Sequence, residues 1–264
     1  MSFPGSPRRL RLLVMTKEPL TDFGFEHIPF SEKTERVKDL FSKVAYRYDL
    51  MNDLMSLGLH RCWKKSFIHR LPLQPESRIL DVAGGTGDIA LQLQKAYPHL
   101  RLEISVCDLT PSMLEEGRDK AINQGLLKGL DWFCGNAEQL PWPDDSFDIY
   151  TVAFGMRNIA DKPQALKEAW RVLKPGGWFF CLEFSQVTIA PLAKLYDAYS
   201  FRILPKVGQW VSNNQEAYQY LVESIRQFPN QQQWQQDIQQ AGFQQVSFEN
   251  WSGGIVALHW AQKA

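Results

Sequence analysis

Cysteine is scarce in this chain of 264 residues: Cys62, Cys107, Cys134 and Cys181 stand far apart, and no two form a Cys-x-x-Cys pair. That excludes a disulfide framework and a structural zinc site, and it fits a reducing compartment. No metal site is expected. Long apolar runs are missing as well. A bilayer-spanning helix needs about 20 residues, whereas the densest stretch, Trp178 to Phe184, has the length of a strand. Neither charge sign is in excess, with 29 Lys plus Arg against 29 Asp plus Glu. A generally basic nucleic-acid binder is therefore not expected. The chain is not poor in apolar residues either, at 44% hydrophobic and 22% charged. Intrinsic disorder is thus excluded, and a chain this long buries a core without covalent staples. No internal repeat is visible.

What is present begins with a basic stretch. Arg8, Arg9, Arg11 and Lys17 precede the first acid, Glu18. Residues 1–21 read as a basic, frayed extension, with a transit-peptide remnant as the alternative. Residues 31–70 read as helices. Val37, Leu40, Phe41, Val44 and Ala45 repeat at helical spacing after Ser31, and a second helix begins near Gly58.

From Pro75 the pattern changes to strands alternating with helices. Strands are predicted at 78–83, 102–107, 130–134, 147–153 and 178–184. Helices are predicted after the glycine turn, at 111–124 and at 163–173, the last stopped by Lys174-Pro175-Gly176-Gly177. Two closing strands follow at 242–249 and 254–260. The alternation predicts an α/β, doubly wound, mainly parallel sheet of seven strands. Between them, residues 188–228 carry Tyr196, Tyr199, Phe201, Trp210, Tyr218 and Tyr220, with Lys194, Arg202 and Lys206 interspersed. This segment is expected to be an inserted helical cap. Gln231–Gln240 is expected to be a helix with a solvated glutamine face.

The chemistry concentrates after the first of these strands, at Asp81-Val-Ala-Gly84-Gly85-Thr86-Gly87-Asp88. Glycines in a strand-to-helix turn let a ligand approach the backbone, beside the unpaired N–H groups of a helix start. Gly85-x-Gly87-x-x-Ala90 also satisfies the dinucleotide fingerprint, so a nicotinamide-dependent oxidoreductase stays open on the loop alone. Three features further along separate the readings. Asp108 ends the next strand, where a carboxylate can accept bonds from ribose hydroxyls. Asn136-Ala137 ends the one after. Leu173-Lys-Pro-Gly-Gly177 precedes the fifth. The ordered set resembles class I S-adenosylmethionine-dependent methyltransferases, with Ala83 in place of the usual first glycine.

Further stretches narrow the resemblance. They include Phe23-Gly-Phe25, the run from Tyr48-Asp49 through Asn52-Asp53 to His60-Arg61-Cys-Trp63-Lys64, and Phe154-Gly-Met-Arg157-Asn158. Leu182-Glu183-Phe184-Ser185, Tyr220 to Pro229 and Gly254 to His259 complete the set. Together they resemble the ubiquinone/menaquinone biosynthesis C-methyltransferase family from about residue 22 to the end. The resemblance implies one methyltransferase domain over 22–264, with N-terminal helices at 22–74 and the cap at 188–228. It implies S-adenosylmethionine as cofactor and transfer of a methyl group to a ring carbon of a polyprenylated benzoquinol or naphthoquinol.

By motif, the cofactor-binding positions are Gly85, Thr86, Gly87, Asp108, Asn136, Ala137 and Ala153. At Ala153 many members have Ser, so only backbone serves there. Arg157 and Tyr48 match positions proposed for catalysis, with Asn158 and His60 beside them. A guanidinium stays protonated, its pKa lying above about 12, so Arg157 is expected to stabilise a phenolate or orient a water. Asp161 is its alternative, purely structural partner. Glu183 is expected to cap a helix or pair with N-terminal Arg or Lys residues, and His259 to be structural.

The implied partners are a quinol substrate and a membrane surface or quinone-biosynthesis complex, with a homodimer left open and nucleic acid not expected. The implied location is the cytoplasmic face of a bacterial inner membrane or the matrix side of the mitochondrial one. Another small-molecule methyltransferase, and a catalytically silent scaffold, are the remaining alternatives.

Overall fold

The structure, a computed structural model, describes residues 18–44, 52, 53, 56, 58–199 and 215–264. The basic extension up to residue 17 lies outside them.

The described chain opens with an antiparallel hairpin, β1 (Leu20–Phe23) and β2 (Glu26–Pro29). The sequence pattern predicts no strand here, because four residues per strand leave almost no alternation to detect. Helix α1 (Phe30–Val44) follows directly, one residue ahead of the expected start. It buries Lys33, Val37, Leu40 and Phe41. Helix α2 (Leu59–Ile68) buries His60, Trp63, Lys64, Phe67 and Ile68.

The expected alternation then appears. Strand β3 (Arg78–Val82) leads into α3 (Asp88–Ala96). Next come β4 (Glu103–Asp108), α4 (Pro111–Asn123) and β5 (Leu130–Cys134). Strand β6 (Phe147–Ala153), α5 (Lys162–Val172) and β7 (Leu173–Phe184) complete the parallel part. One boundary differs from expectation. Leu173 already pairs with Phe147, and the register shifts before Ile149 meets Trp178. Lys174-Pro-Gly-Gly177 is therefore a bulge inside β7 rather than a turn ahead of it.

The closing strands, β8 (Gln244–Trp251) and β9 (Val256–Gln262), run antiparallel, giving the order β5-β4-β3-β6-β7-β9-β8. The central strands bury both faces, as a sheet covered on both sides must. Ile79, Ile104 and Leu182 face one core layer, under α1, α2 and α3. Leu80, Val82 and Cys181 face the other, with residues of α5. The order reverses at β3, between β4 and β6, so the crevice past the carboxyl ends of these strands is where such sheets bind ligands.

Of the cap, α6 (Ala190–Ala198) and α7 (Gln215–Gln227) are described, while Phe201, Arg202, Lys206 and Trp210 fall outside the described residues. Tyr196, Tyr218 and Tyr220 are buried in the core layer shared with the sheet. Tyr220 stacks on Phe23 of the hairpin at 4.3 Å. The glutamine-rich α8 (Gln231–Gln240) corrects the expectation of a simple solvated face. Trp234 and Ile238 are fully buried. Gln231 is buried too, its amide donating to Gln186 O and Asn250 Oδ1.

Candidate active site

Past the carboxyl ends of β3, β4 and β6 lies a cleft open to solvent. The sheet edge contributes Gly85, Asp108, Asn136 and Ala137, and α1 contributes Thr34, Val37 and Phe41. Phe154, Gly155 and Asn158, following β6, complete the lining. Elements far apart in sequence thus bring together five of the residues singled out above: Gly85, Asp108, Asn136, Ala137 and Asn158.

Asp108 is half-buried. Its two carboxylate oxygens accept from the N–H groups of Gly85 and Thr110, each at 2.9 Å. Burial pushes its carboxyl up, and those N–H bonds oppose the shift. Asn136 Oδ1 accepts from Glu138 N–H at 2.9 Å, which fixes the side chain. Glu138 Oε1 accepts in turn from the N–H groups of Ala160 and Asp161. Leu109, Met113 and Val82 make the adjoining lining apolar.

Thr86 and Ala153 lie in a separate, smaller recess with Lys64, Asp81, Gly84 and Asp88. Here Asp81 Oδ1 accepts from Thr151 Oγ1 at 2.8 Å, while its buried Oδ2 has no hydrogen-bond partner among the described residues. Burial pushes the Asp81 carboxyl up to about 7, against the Thr151 bond and Lys64. Lys64 Nζ meets Asp88 Oδ2 at 2.6 Å. Burial alone would raise the Asp88 carboxyl, but Lys64 outweighs it and holds it below the usual range. Gly87 lines neither space. At φ +74 its α-carbon is packed against Trp132, and a β-carbon there would strike the indole.

Arg157 departs from expectation in its partner. It does not pair with Asp161. Its Nη1 donates to Glu183 Oε1 at 2.8 Å and to Phe154 O, its backbone N–H donates to Glu183 Oε2 at 3.3 Å, and both side chains are buried. Its buried Nε–H has no partner among the described residues. The next residue, Asn158, accepts from Tyr220 Oη at 3.1 Å. Glu183 thus meets the capping half of its expectation, accepting from a first-turn N–H of the short 3-10 helix Met156–Asn158, and among the described residues it pairs with no N-terminal cation. His60 lines neither space. It is buried with Nδ1 2.9 Å from Ser56 Oγ, and burial followed by Lys64 lowers its pKa. Tyr48 lies outside the described residues.

The profile of the ubiE/COQ5 methyltransferase family matches residues 30–263. The chain belongs to that family. A relative from Rickettsia rickettsii, "Ubiquinone/menaquinone biosynthesis C-methyltransferase UbiE", is 51% identical over 243 residues, covering 91% of this chain and 98% of its own. The Bos taurus "2-methoxy-6-polyprenyl-1,4-benzoquinol methylase, mitochondrial" is 45% identical over 291 aligned positions, covering 98% and 88%. Among solved structures, a Thermotoga maritima SAM-dependent methyltransferase superposes with TM-score 0.62 at 19% identity, over 86% of this chain and all of that one. Haemonchus contortus phosphoethanolamine N-methyltransferase 2, solved with S-adenosyl-L-methionine, gives 0.55 at 16% identity, over 76% of this chain and 52% of that one. These two likenesses bear on the fold alone, which is that of class I S-adenosylmethionine-dependent methyltransferases.

The residues of this methyltransferase fit that cofactor. Asp108 offers a carboxylate for hydroxyls, and the apolar lining beside Ala137 suits a flat ring. The orphaned Asp81 Oδ2, in the recess with Lys64, is an acceptor suited to the ammonium of an amino-acid tail. The sequence alone marks Asp81 only as the start of the loop and gives no role to Lys33, Lys64 or Glu138. Two buried charges do carry a visible signal. Lys33 sits on the apolar stripe of α1, and Glu183 is a lone charge inside an apolar strand.

Proposed function

We propose that this enzyme methylates a ring carbon of a polyprenylated quinol in ubiquinone or menaquinone biosynthesis, with S-adenosylmethionine as donor. The observation that carries the site is the single cleft in which Asp108 and Asn136 share a lining with Asn158, the residue that follows the buried Arg157.

When bound, the cofactor supplies an electrophilic methyl group. Asp108, Asn136 and Ala137 are assigned to its nucleoside, and Thr86, Asp81 and the backbone of Gly85 to its amino-acid end. A quinol carbon ortho to a hydroxyl is most nucleophilic when that hydroxyl is ionised. The chain's task is therefore to orient the ring and stabilise the phenolate. We assign that stabilisation to Asn158, which lines the cleft, with Arg157, paired to Glu183 and not itself lining it, acting from behind. Arg157 is unsuited to act as a base, because a guanidinium carries no lone pair to accept a proton. A water is left to take the ring proton.

An apolar tail on the substrate, in a chain whose described residues include no helix able to cross a membrane, calls for a route from a bilayer surface. We assign that route to the cap, with peripheral, salt-sensitive membrane contact through Lys194, Arg202 and Lys206. The burial of Tyr196, Tyr218 and Tyr220 in the core layer shared with the sheet supports a packing role for those three aromatics.

The deciding experiment supplies the demethylated benzoquinol and naphthoquinol in turn with isotopically labelled cofactor and locates the label by mass spectrometry. Label on a ring carbon of either quinol supports the proposal. Label on oxygen, or on neither compound, rejects it. Replacing Lys194, Arg202 and Lys206 by Gln and measuring liposome co-sedimentation tests the membrane route, which unchanged binding would eliminate.

A further inference from the structure

Lys33 occupies a place on α1 that an apolar residue would ordinarily fill. It stands four residues before Val37 on the buried stripe and is 1% exposed. Its Nζ donates to the carbonyl oxygens of Arg157 at 3.4 Å and of Ile159 at 3.2 Å. Those two carbonyls flank Asn158. Lys162, at the start of α5, places its own Nζ 3.2 Å from the same Ile159 oxygen.

Two lysines on one carbonyl cannot both carry full charge cheaply. Burial, then Lys162, lowers the Lys33 amine to about 6, while Asp22 of β1 and Glu138 after β5 pull the other way. Burial lowers Lys162 as well, and its hydrogen bond with Lys33 opposes that. Near neutral pH the bonding then balances. A neutral Lys33 has two N–H donors for two carbonyls and a lone pair for the Lys162 ammonium.

The contact joins two walls of the cleft. The residue after Lys33 on α1, Thr34, lines it, and so do Asn158, Ile159 and Ala160 on the facing segment. We infer that Lys33 is a positioning residue for methyl transfer: from α1 it holds the Arg157–Ile159 backbone in the frame that presents Asn158 to the cleft. The inference rests on the role assigned above to Arg157 and Asn158.

Two variants test it. Lys33→Met fills the stripe but removes both donors. Lys33→Gln keeps a neutral donor. For each, kcat and KM on a prenylated quinol are measured from pH 5 to 9, with cofactor Kd by calorimetry and folding by circular dichroism. Lys33→Met is expected to lose about ten- to a hundred-fold in kcat, the scale of a small misplacement in a reacting site, with cofactor Kd changed by less than about three-fold. Lys33→Gln is expected to recover part of that loss. Wild-type kcat is expected to fall as pH drops through about 6, as Lys33 gains a third N–H beyond its two carbonyl partners and a charge that faces Lys162. Lys33→Gln is expected to lack that part of the acid limb, keeping whatever fall the Asp81 carboxyl, at about 7, sets.

A folded Lys33→Met variant with wild-type kcat overturns the inference. So does a loss of cofactor affinity in proportion to kcat, which marks general loosening. If Lys33→Met does not fold, an acid limb in Lys33→Gln identical to the wild type's overturns it, and loss of the part of the limb at about 6, below the fall set by Asp81, supports it. Asn158→Ala and Arg157→Lys run alongside. If both retain wild-type kcat, the assigned roles fail and the inference fails with them. If both lose kcat while Lys33→Met keeps it, only the inference fails.

Discussion

Glu183 holds Arg157 twice, accepting from its guanidinium at 2.8 Å and from its backbone N–H at 3.3 Å. A third bond, from the N–H of Phe184 at 2.9 Å, leaves both carboxylate oxygens satisfied. The pair is buried on both sides, so removing one partner strands a charge. Glu183→Ala is expected to cost about 3–5 kcal/mol of stability, read from urea denaturation. An apolar double replacement, Arg157→Met with Glu183→Leu, is expected to regain much of that stability without regaining turnover. Turnover returning with stability would leave Arg157 no part in the chemistry.

Asp108 binds its own loop through two N–H groups and also lines the cleft. Asp108→Ala is expected to weaken cofactor binding by about 2–3 kcal/mol, the scale of a lost charged hydrogen-bond partner. Calorimetric titration of variant and wild type measures this, and equal affinities would remove Asp108 from the site. A melting curve separates loss of the ligand contact from loss of the loop.

His259 gives the fold an acid sensitivity of definite sign. Buried in β9, its ring Nε2 lies 3.0 Å from Gln231 O, and burial lowers its pKa from 6.5 to about 4. The unfolded chain therefore binds a proton more readily between those values. Stability from this residue is complete above pH 6.5 and is lost as pH falls toward 4. The loss is on the order of 3 kcal/mol, since a tenfold change in proton affinity is worth about 1.4 kcal/mol. Urea midpoints at pH 7 and pH 4.5 should fall further apart in the wild type than in His259→Gln. Equal spacing would mean that His259 titrates normally.

Much of this was legible in the sequence, where local chemistry announces itself. The strand and helix alternation from Arg78 onward, the glycine turn and Asp108 all follow from short-range pattern. The β1–β2 hairpin was not, because it owes its order to partners such as Tyr220, nearly two hundred residues away. The same distance hid the buried polar network. Glu183 and Lys33 each carry a signal that the sequence reading did not use, a charge on an apolar face. What they bind, the main chain around Asn158, is fixed only when β6, β7 and α1 meet. Gln231 read as solvated because nothing local distinguishes it from the glutamines around it, yet it alone reaches Asn250 and Gln186 O.

Ala83 stands at φ +50, in the left-handed region that glycine favours, with Gly155 packed against it. A methyl group at 155 would run into the β-carbon of Ala83. Gly155→Ala is expected to destabilise the protein by about 1–3 kcal/mol through overpacking. Adding Ala83→Gly should recover most of it, by clearing the space and by relieving the strained backbone. Thermal melts of both single variants and the double variant show whether the effects couple, and simple additivity would separate the two sites.

That contact also sets an order of descent. Glycine at 83 leaves room for a side chain at 155, whereas a side chain at 155 while alanine stands at 83 passes through a weakened protein. The exchange of the small residue between the cofactor loop and the segment after β6 therefore costs least through an intermediate that carries glycine at both places.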